Sequence, residues 1–201
     1  MRGCYSRVFG IFLLGFVVFF LPGCERSSSH KRIYDEIVEP SPALLPDQAV
    51  SFAWDLPQGW IEQPAGGMRL ATITNPQSPG LEVSIVSLSG VAGLSWPTGQ
   101  GGIFANLNRW MKQIDLPELN EPALEEFLNT QKTFKTQGGL LCVLVDFTTL
   151  QPQEDLSVPG MLVGVVETPE QTLFVKMTAP LSVLNQNRDA FAALCQSLKM
   201  R

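Results

Sequence analysis

Residues 140–149 (LLCVLVDFTT) constrain this chain most, because they are apolar at almost every position and not at every second one. A strand with one wetted face alternates, so a run without alternation has to be covered on both faces. Gly138-Gly139 turns the chain back from residues 132–136 into this run, which makes the two stretches a hairpin. A sheet that holds such a strand needs helices on both sides.

The rest of the chain supplies that sheet and those helices. Residues 69–75 (RLATITN) and 81–88 (LEVSIVSL) alternate with period two, and the NPQSPG between them is turn chemistry, so they form another hairpin. Residues 161–167 and 172–178 form a third, around Thr168-Pro169-Glu170-Gln171. Residues 50–54 alternate as a short strand, and Pro57-Gln58-Gly59-Trp60 turns into another extended piece. Residues 103–114 (IFANLNRWMKQI) are the clearest amphipathic helix. Ile103, Leu107, Trp110, Met111 and Ile114 share one stripe, and Asn106, Arg109, Lys112 and Gln113 face outward. Asn120, followed by Glu121 and Pro122, caps a second helix to about Asn129. Residues 182–199 close the chain as a third helix, with Leu184, Phe191, Leu194 and Leu198 on one stripe. The order is four strands, two helices, four strands and a helix. The predicted fold is α+β: a largely antiparallel sheet of about six to eight strands sandwiched between helices, in a single domain over residues 51–201.

Two segments of different character precede that domain. Residues 1–23 carry Arg2 and Arg7, no acid, and an uncharged apolar run of 14 residues from Val8 to Leu21. A helix of that length covers about 21 Å, short of the roughly 30 Å hydrocarbon core, so the run suits a signal peptide better than a spanning helix. Leu21-Pro22-Gly23-Cys24 resembles the bacterial lipobox: Leu, a tolerant position, a small residue, then Cys. The resemblance implies a diacylglycerol thioether on Cys24 and cleavage before it. The mature chain would then be held by lipid to the cell membrane or outer membrane, with its domain on the exported side. The plainer alternative is an uncleaved N-terminal anchor. Two or three acyl chains hold a protein stably, one only marginally. Residues 24–50 mix Ser, both charges and prolines with little periodicity, and read as a flexible tether.

The chain has 14 Lys and Arg against 19 Asp and Glu; the first 23 residues take two of the cations and no acid, leaving 12 against 19. That balance argues against nucleic acid as a partner and against a polybasic membrane face. Of the four cysteines, Cys4 falls in the signal and Cys24 at the lipid site. Cys142 and Cys195 either pair in an exported compartment or stay as small buried hydrophobes.

The only histidine, His30, lies in the tether. A Ser-His-Asp or Cys-His set in the domain is thereby excluded, and so is a metal site with a histidine ligand. Gly93-Leu94-Ser95-Trp96-Pro97 has Pro where a nucleophile elbow needs Gly, and no dinucleotide or phosphate-loop motif is present. Carboxylates remain for acid–base chemistry. Glu125-Glu126 point apart on a helix and Glu154-Asp155 lie in a loop. Asp146 ends an apolar strand, where a rim carboxylate bonded to backbone is a plainer reading than a general acid. Gly101-Gly102 ahead of a helix offers N–H groups to an anion or simply gives a loop room to turn. Neither a cofactor nor a metal is expected. Trp96, Asn108 and Arg109 are the candidate contact residues. Trp96 sits beside Pro97 in a glycine-rich loop, and the other two precede Trp110 on a helix; Trp and Arg are favoured at interfaces.

The turn at Pro57-Gly59-Trp60, the strand LFVKMTAP, Phe191 and the ending Ser197-Leu198-Lys199 are together similar to the PsbP-like superfamily, with its LpqN-like bacterial lipoproteins. The resemblance covers residues 50–201 and implies binding or assembly proteins in place of enzymes. Residues 103–117 also resemble a stretch of exported bacterial proteins, GG then NLNRW then Q-I-x-L-P, with residues 94–99 as an insertion. The expectation is a lipid-anchored cell-envelope protein, a non-catalytic binding or assembly factor. Its partners would be the membrane, through Cys24, and an envelope protein. The alternative is a small-ligand carrier with a pocket between sheet and helix. A histidine-free hydrolase using carboxylates is the third reading.

Overall fold

The structure is a computed structural model and describes residues 51–63, 65–89, 94 and 102–201. β1 (Phe52–Ala53), β2 (Ile61–Gln63), β3 (Arg69–Thr74) and β4 (Glu82–Ser89) come first, then α1 (Ile103–Gln113) and α2 (Glu121–Asn129). β5 (Lys132–Lys135), β6 (Leu141–Asp146), β7 (Pro159–Glu167) and β8 (Gln171–Pro180) follow, then α3 (Leu181–Gln196) and β9 (Lys199–Met200). Seven strands form one antiparallel sheet in the order β2-β3-β4-β8-β7-β6-β5, and β1 pairs with β9 in a separate ribbon. This is the α+β class that the hairpin pattern predicts. The three expected hairpins pair β3 with β4, β5 with β6, and β7 with β8.

The layers follow from the faces of β7. Met161, Val163 and Val165 point to one side, where with Val143, Val145 and Phe174 they bury the Ile103–Leu107–Trp110–Met111 stripe of α1 and Leu124 and Phe127 of α2. Leu162 and Val166 point to the other, where Leu181, Leu184, Phe191 and Leu194 of α3 cover them. Two glycines on that second face let α3 come down onto the strand. A Cβ on Gly160 would stand 2.6 Å from Leu181 Cδ2, and one on Gly164 would stand 2.7 Å from Cys195 Sγ. Cys142 and Cys195 are free, buried thiols. A hydrogen bond between the two, and burial, push the Cys195 thiol well above its ordinary range.

Three local expectations are corrected. The run at 140–149 is a strand only through Asp146; Phe147–Leu150 turn into a 3-10 helix whose N-cap is the Asp146 side chain, accepting from Thr148 N–H. That strand is covered on both faces as expected, but it lies second from an edge, and β8 holds the centre. The closing helix stops at Gln196, because Lys199–Met200 leave it to pair with Phe52–Ala53. The anchor and tether, with Cys24, and the loop residue Trp96 lie outside the described residues. Among the described residues no helix is long and apolar enough to cross a membrane.

The close approach at Gly164 is testable. Gly164→Ala is expected to destabilise the domain by about 1–3 kcal/mol in urea denaturation, the usual cost of overpacking. On a Cys195→Ala background the same change is expected to cost less. Equal costs on the two backgrounds would mean that the thiol is not what the added methyl meets.

Candidate functional site

On the α3 side the apolar layer runs from β3 across to β6, whereas on the other side α1 and α2 lie over β6, β7 and β8. Over β3 and the start of β4 no helix among the described residues covers that second face, and its side chains turn polar: Thr72 and Thr74 on β3 and Glu82 on β4, with buried Ser84 beside them. A cleft of about 260 Å³ opens along this step, between α1 and a floor of β3, β4 and β8.

Strand register assembles the floor. Arg69, Val86 and Phe174 pair across three adjacent strands, and Thr72, Ser84 and Lys176 make the next row. Val86, Leu88, Phe174 and Trp110 form apolar wall, with Trp110 edge-on to Phe174 at 5.4 Å between ring centroids. Three cations line the same cleft: Arg69 from β3, Arg109 from α1 and Lys176 from β8. Arg69 Nη1 donates to Glu82 Oε1 at 3.0 Å and to Thr72 Oγ1 at 3.2 Å. Among the described residues the other two meet neutral acceptors, Arg109 donating to Asn106 Oδ1 and Lys176 Nζ to Gln113 Oε1 at 3.0 Å. Among the described residues neither of them forms an ion pair. Residues 51–201 hold nine Lys and Arg against fourteen Asp and Glu, yet three of those nine cations gather here around one carboxylate. Burial pushes the Lys176 ammonium below its usual range; Arg69 and Arg109 push the same way, and Glu82 opposes them.

Of the residues singled out from sequence, Arg109 lines the cleft, while Asn108 serves the scaffold. Asn108 Nδ2 donates to the Leu119 carbonyl at 2.9 Å and its Oδ1 accepts the Leu119 N–H at 3.0 Å, a two-point clamp on the α1–α2 connection. Asn106, expected to face outward, is buried: its Nδ2 donates to the Gly102 carbonyl at 3.1 Å while its Oδ1 holds Arg109. Arg69 and Lys176 were not legible as site residues. Each is a single charge in an alternating strand, and only the register across β4 brings them together.

Two of the larger hollows carry less chemistry. One of about 430 Å³ between α1 and α2 is edged by Glu121 and Glu125, with no cation among the described residues of its lining. The other, about 510 Å³, lies beside Asp146, whose carboxylate accepts the Thr148 N–H at 3.0 Å and Thr148 Oγ1 at 2.6 Å and pairs with Arg188. Asp146 is therefore a fully engaged rim carboxylate. Among the described residues no three His, Cys, Asp or Glu side chains group as a metal site.

Two substitutions separate scaffold from site. Asn108→Ala leaves the Leu119 backbone groups unpaired and is expected to lower stability by about 1–3 kcal/mol. Lys176→Met is expected to raise the melting temperature at neutral pH. A lysine whose folded pKa is depressed costs stability while it is protonated in the folded state. That cost is relieved as pH rises from the folded pKa to the unfolded value of about 10.4. Thermal melts from about pH 7 to about pH 10 check this; a lowered or unchanged value at neutral pH would contradict it.

No protein-family model and no curated protein matches this chain. Among solved structures it is similar to a protein of Bacteroides thetaiotaomicron at 16% identity and a TM-score of 0.42, over 75% of this chain and 45% of that one, so it spans less than half of that protein's length. It is similar to cyanobacterial PsbP (CyanoP) of Synechocystis at 11% identity and a TM-score of 0.43, over 76% of this chain and 92% of that one. It is also similar to LpqN, involved in cell envelope biogenesis of Mycobacterium tuberculosis, at 12% identity and a TM-score of 0.38, over 75% of this chain and 83% of that one. The last two are of the kinds that the sequence resembles. At these scores the likeness carries no argument about ligand, partner or activity.

Proposed function

We propose that this chain is a lipid-anchored binding protein of the cell envelope and not an enzyme, and that the cleft between α1 and the sheet is its binding site. The observation that carries this reading is the convergence of Arg69, Arg109 and Lys176 on an apolar wall, with two of the three forming no ion pair among the described residues. Charge left uncompensated beside apolar surface disfavours folding, and ligand sites are where folds retain it. Binding without turnover is supported by the state of Asp146, whose carboxylate is occupied by Thr148 and Arg188.

In this reading residues 1–23 are removed on export, Cys24 carries the lipid, residues 24–50 are the tether and residues 51–201 are the binding domain. The lipobox pattern Leu21-Pro22-Gly23-Cys24 supports the anchor. The domain's negative balance means that an anionic bilayer repels it, so the lipid does the holding. The size of the cleft favours a small-ligand carrier. The second reading, an accessory factor for an envelope protein, is favoured by one observation: Ile61, Met68 and Leu70 are exposed on neighbouring strands β2 and β3 and the turn before β3.

Cys24→Ser is expected to abolish labelling with radioactive palmitate and to release the protein from the membrane fraction; retention of both would overturn the anchor. For the site, a photoreactive amino acid in place of Met68, at the cleft mouth, is expected to capture a small molecule in cells. That capture should be lost with Lys176→Met. Capture of one envelope protein in its place would favour the accessory reading.

A further inference from the structure

We infer that the ligand of this cleft is an anion with a short apolar body: one phosphate or carboxylate head joined to an alkyl or aryl group, taken up as a free molecule. The inference rests on the cleft being the binding site. Among the described residues three cations line the cleft and one carboxylate, Glu82, pairs with Arg69 beside it, an excess of two positive charges that a head group of one or two negative charges neutralises. Arg69 is partly engaged, since one nitrogen already serves Glu82 and Thr72. Lys176 and Arg109 are the cations whose present acceptors are neutral amides, so an oxyanion gains charge-assisted bonds that those amides do not offer. Lys176 is half-buried, and an anion beside it stabilises the ammonium that burial and the two arginines disfavour.

The apolar half of the cleft excludes a bare ion. Val86, Leu88, Trp110 and Phe174 offer no oxygen to a water shell, and a methylene or ring placed there leaves water at a gain of about 0.8 kcal/mol per CH₂. Size sets the upper limit. A cleft of about 260 Å³ takes a head group and a ring or a few carbons. A two-chain lipid exceeds that volume, and Met68 in the lining is 70% exposed, so the cleft is open to solvent there.

The test is calorimetric titration of the full lipidated chain in phosphatidylcholine nanodiscs, with empty nanodiscs as blank. Phenyl phosphate is the probe, with inorganic phosphate as head alone and benzyl alcohol as body alone. Phenyl phosphate is expected to bind about tenfold or more tightly than either part. Lys176→Met and Arg109→Met are each expected to weaken it about tenfold, with thermal melts of both variants confirming that they are folded. Equal affinity for inorganic phosphate, equal affinity for benzyl alcohol, or indifference to both substitutions would overturn the inference. Phosphatidate added to the nanodisc is expected to leave phenyl phosphate binding unchanged; suppression would mean that the head group is taken from a lipid and not from a free molecule. If no probe binds while Lys176→Met still abolishes photocapture in cells, the ligand class is wrong and the cleft stands. If Lys176→Met leaves that capture intact as well, the cleft itself is not the site.

Discussion

An antiparallel sheet normally keeps one face in water, and this one has two neighbouring strands that cannot. On β7, Met161, Leu162, Val163, Val165 and Val166 are fully buried over both faces, and on β8 Leu173, Val175 and Met177 are fully buried on the α3 side while Phe174 is buried on the other. Side chains of this kind are each worth roughly 1.5–3 kcal/mol when taken out of water, so neither face of the central strands can stay open. The helical layers answer that demand. α3 reaches its place because β7 offers backbone, not side chain, at Gly160 and Gly164, which brings the helix axis closer than a fully substituted strand allows.

The same constraint explains why the two faces differ. Seven strands spaced about 4.8 Å apart span roughly 29 Å from first to last, whereas two helices side by side cover about 20 Å. α1 and α2 spend that width over β6, β7 and β8, where both faces must be dry. The face of β3 and β4 is left over, and its sequence is written for water: Thr72, Thr74 and Glu82. The cleft sits on the boundary between the covered and the wet half. A boundary of that kind supplies apolar wall and solvated charge within one side chain's length of each other. Arg69, Arg109 and Lys176 are placed on it by three different elements.

Local features of this chain were legible, and those that depend on register were not. The alternation at 69–75 and 81–88, the stripe on α1 and the Asn120 cap all appear where short-range physics puts them. Asn106 defeated the helical pattern because a short amide on the buried side can bond back to the Gly102 carbonyl and satisfy itself. β9 escaped notice because two residues carry no period and their partner, β1, stands at the far end of the domain sequence. A glycine in a strand reads alike whether it eases a twist or admits a helix, so Gly160 and Gly164 showed nothing of α3. The site divides in the same way. Arg109 was visible because its helix neighbours are visible, and Asn108 was noticed for its place beside Arg109 and Trp110 although its use is to grip Leu119. Arg69 and Lys176 become neighbours only once β4 is laid between β3 and β8.

The β1–β9 ribbon has a consequence for how the domain can be held. Arg201 N–H donates to the Ser51 carbonyl at 2.8 Å, so the first and last described residues lie side by side. Phe52 and Trp54 pack into the α3-side core, while the cleft belongs to the opposite face of the sheet. Residues 51 and 201 therefore end together beside the α3-side core, while the cleft opens on the other face of the sheet.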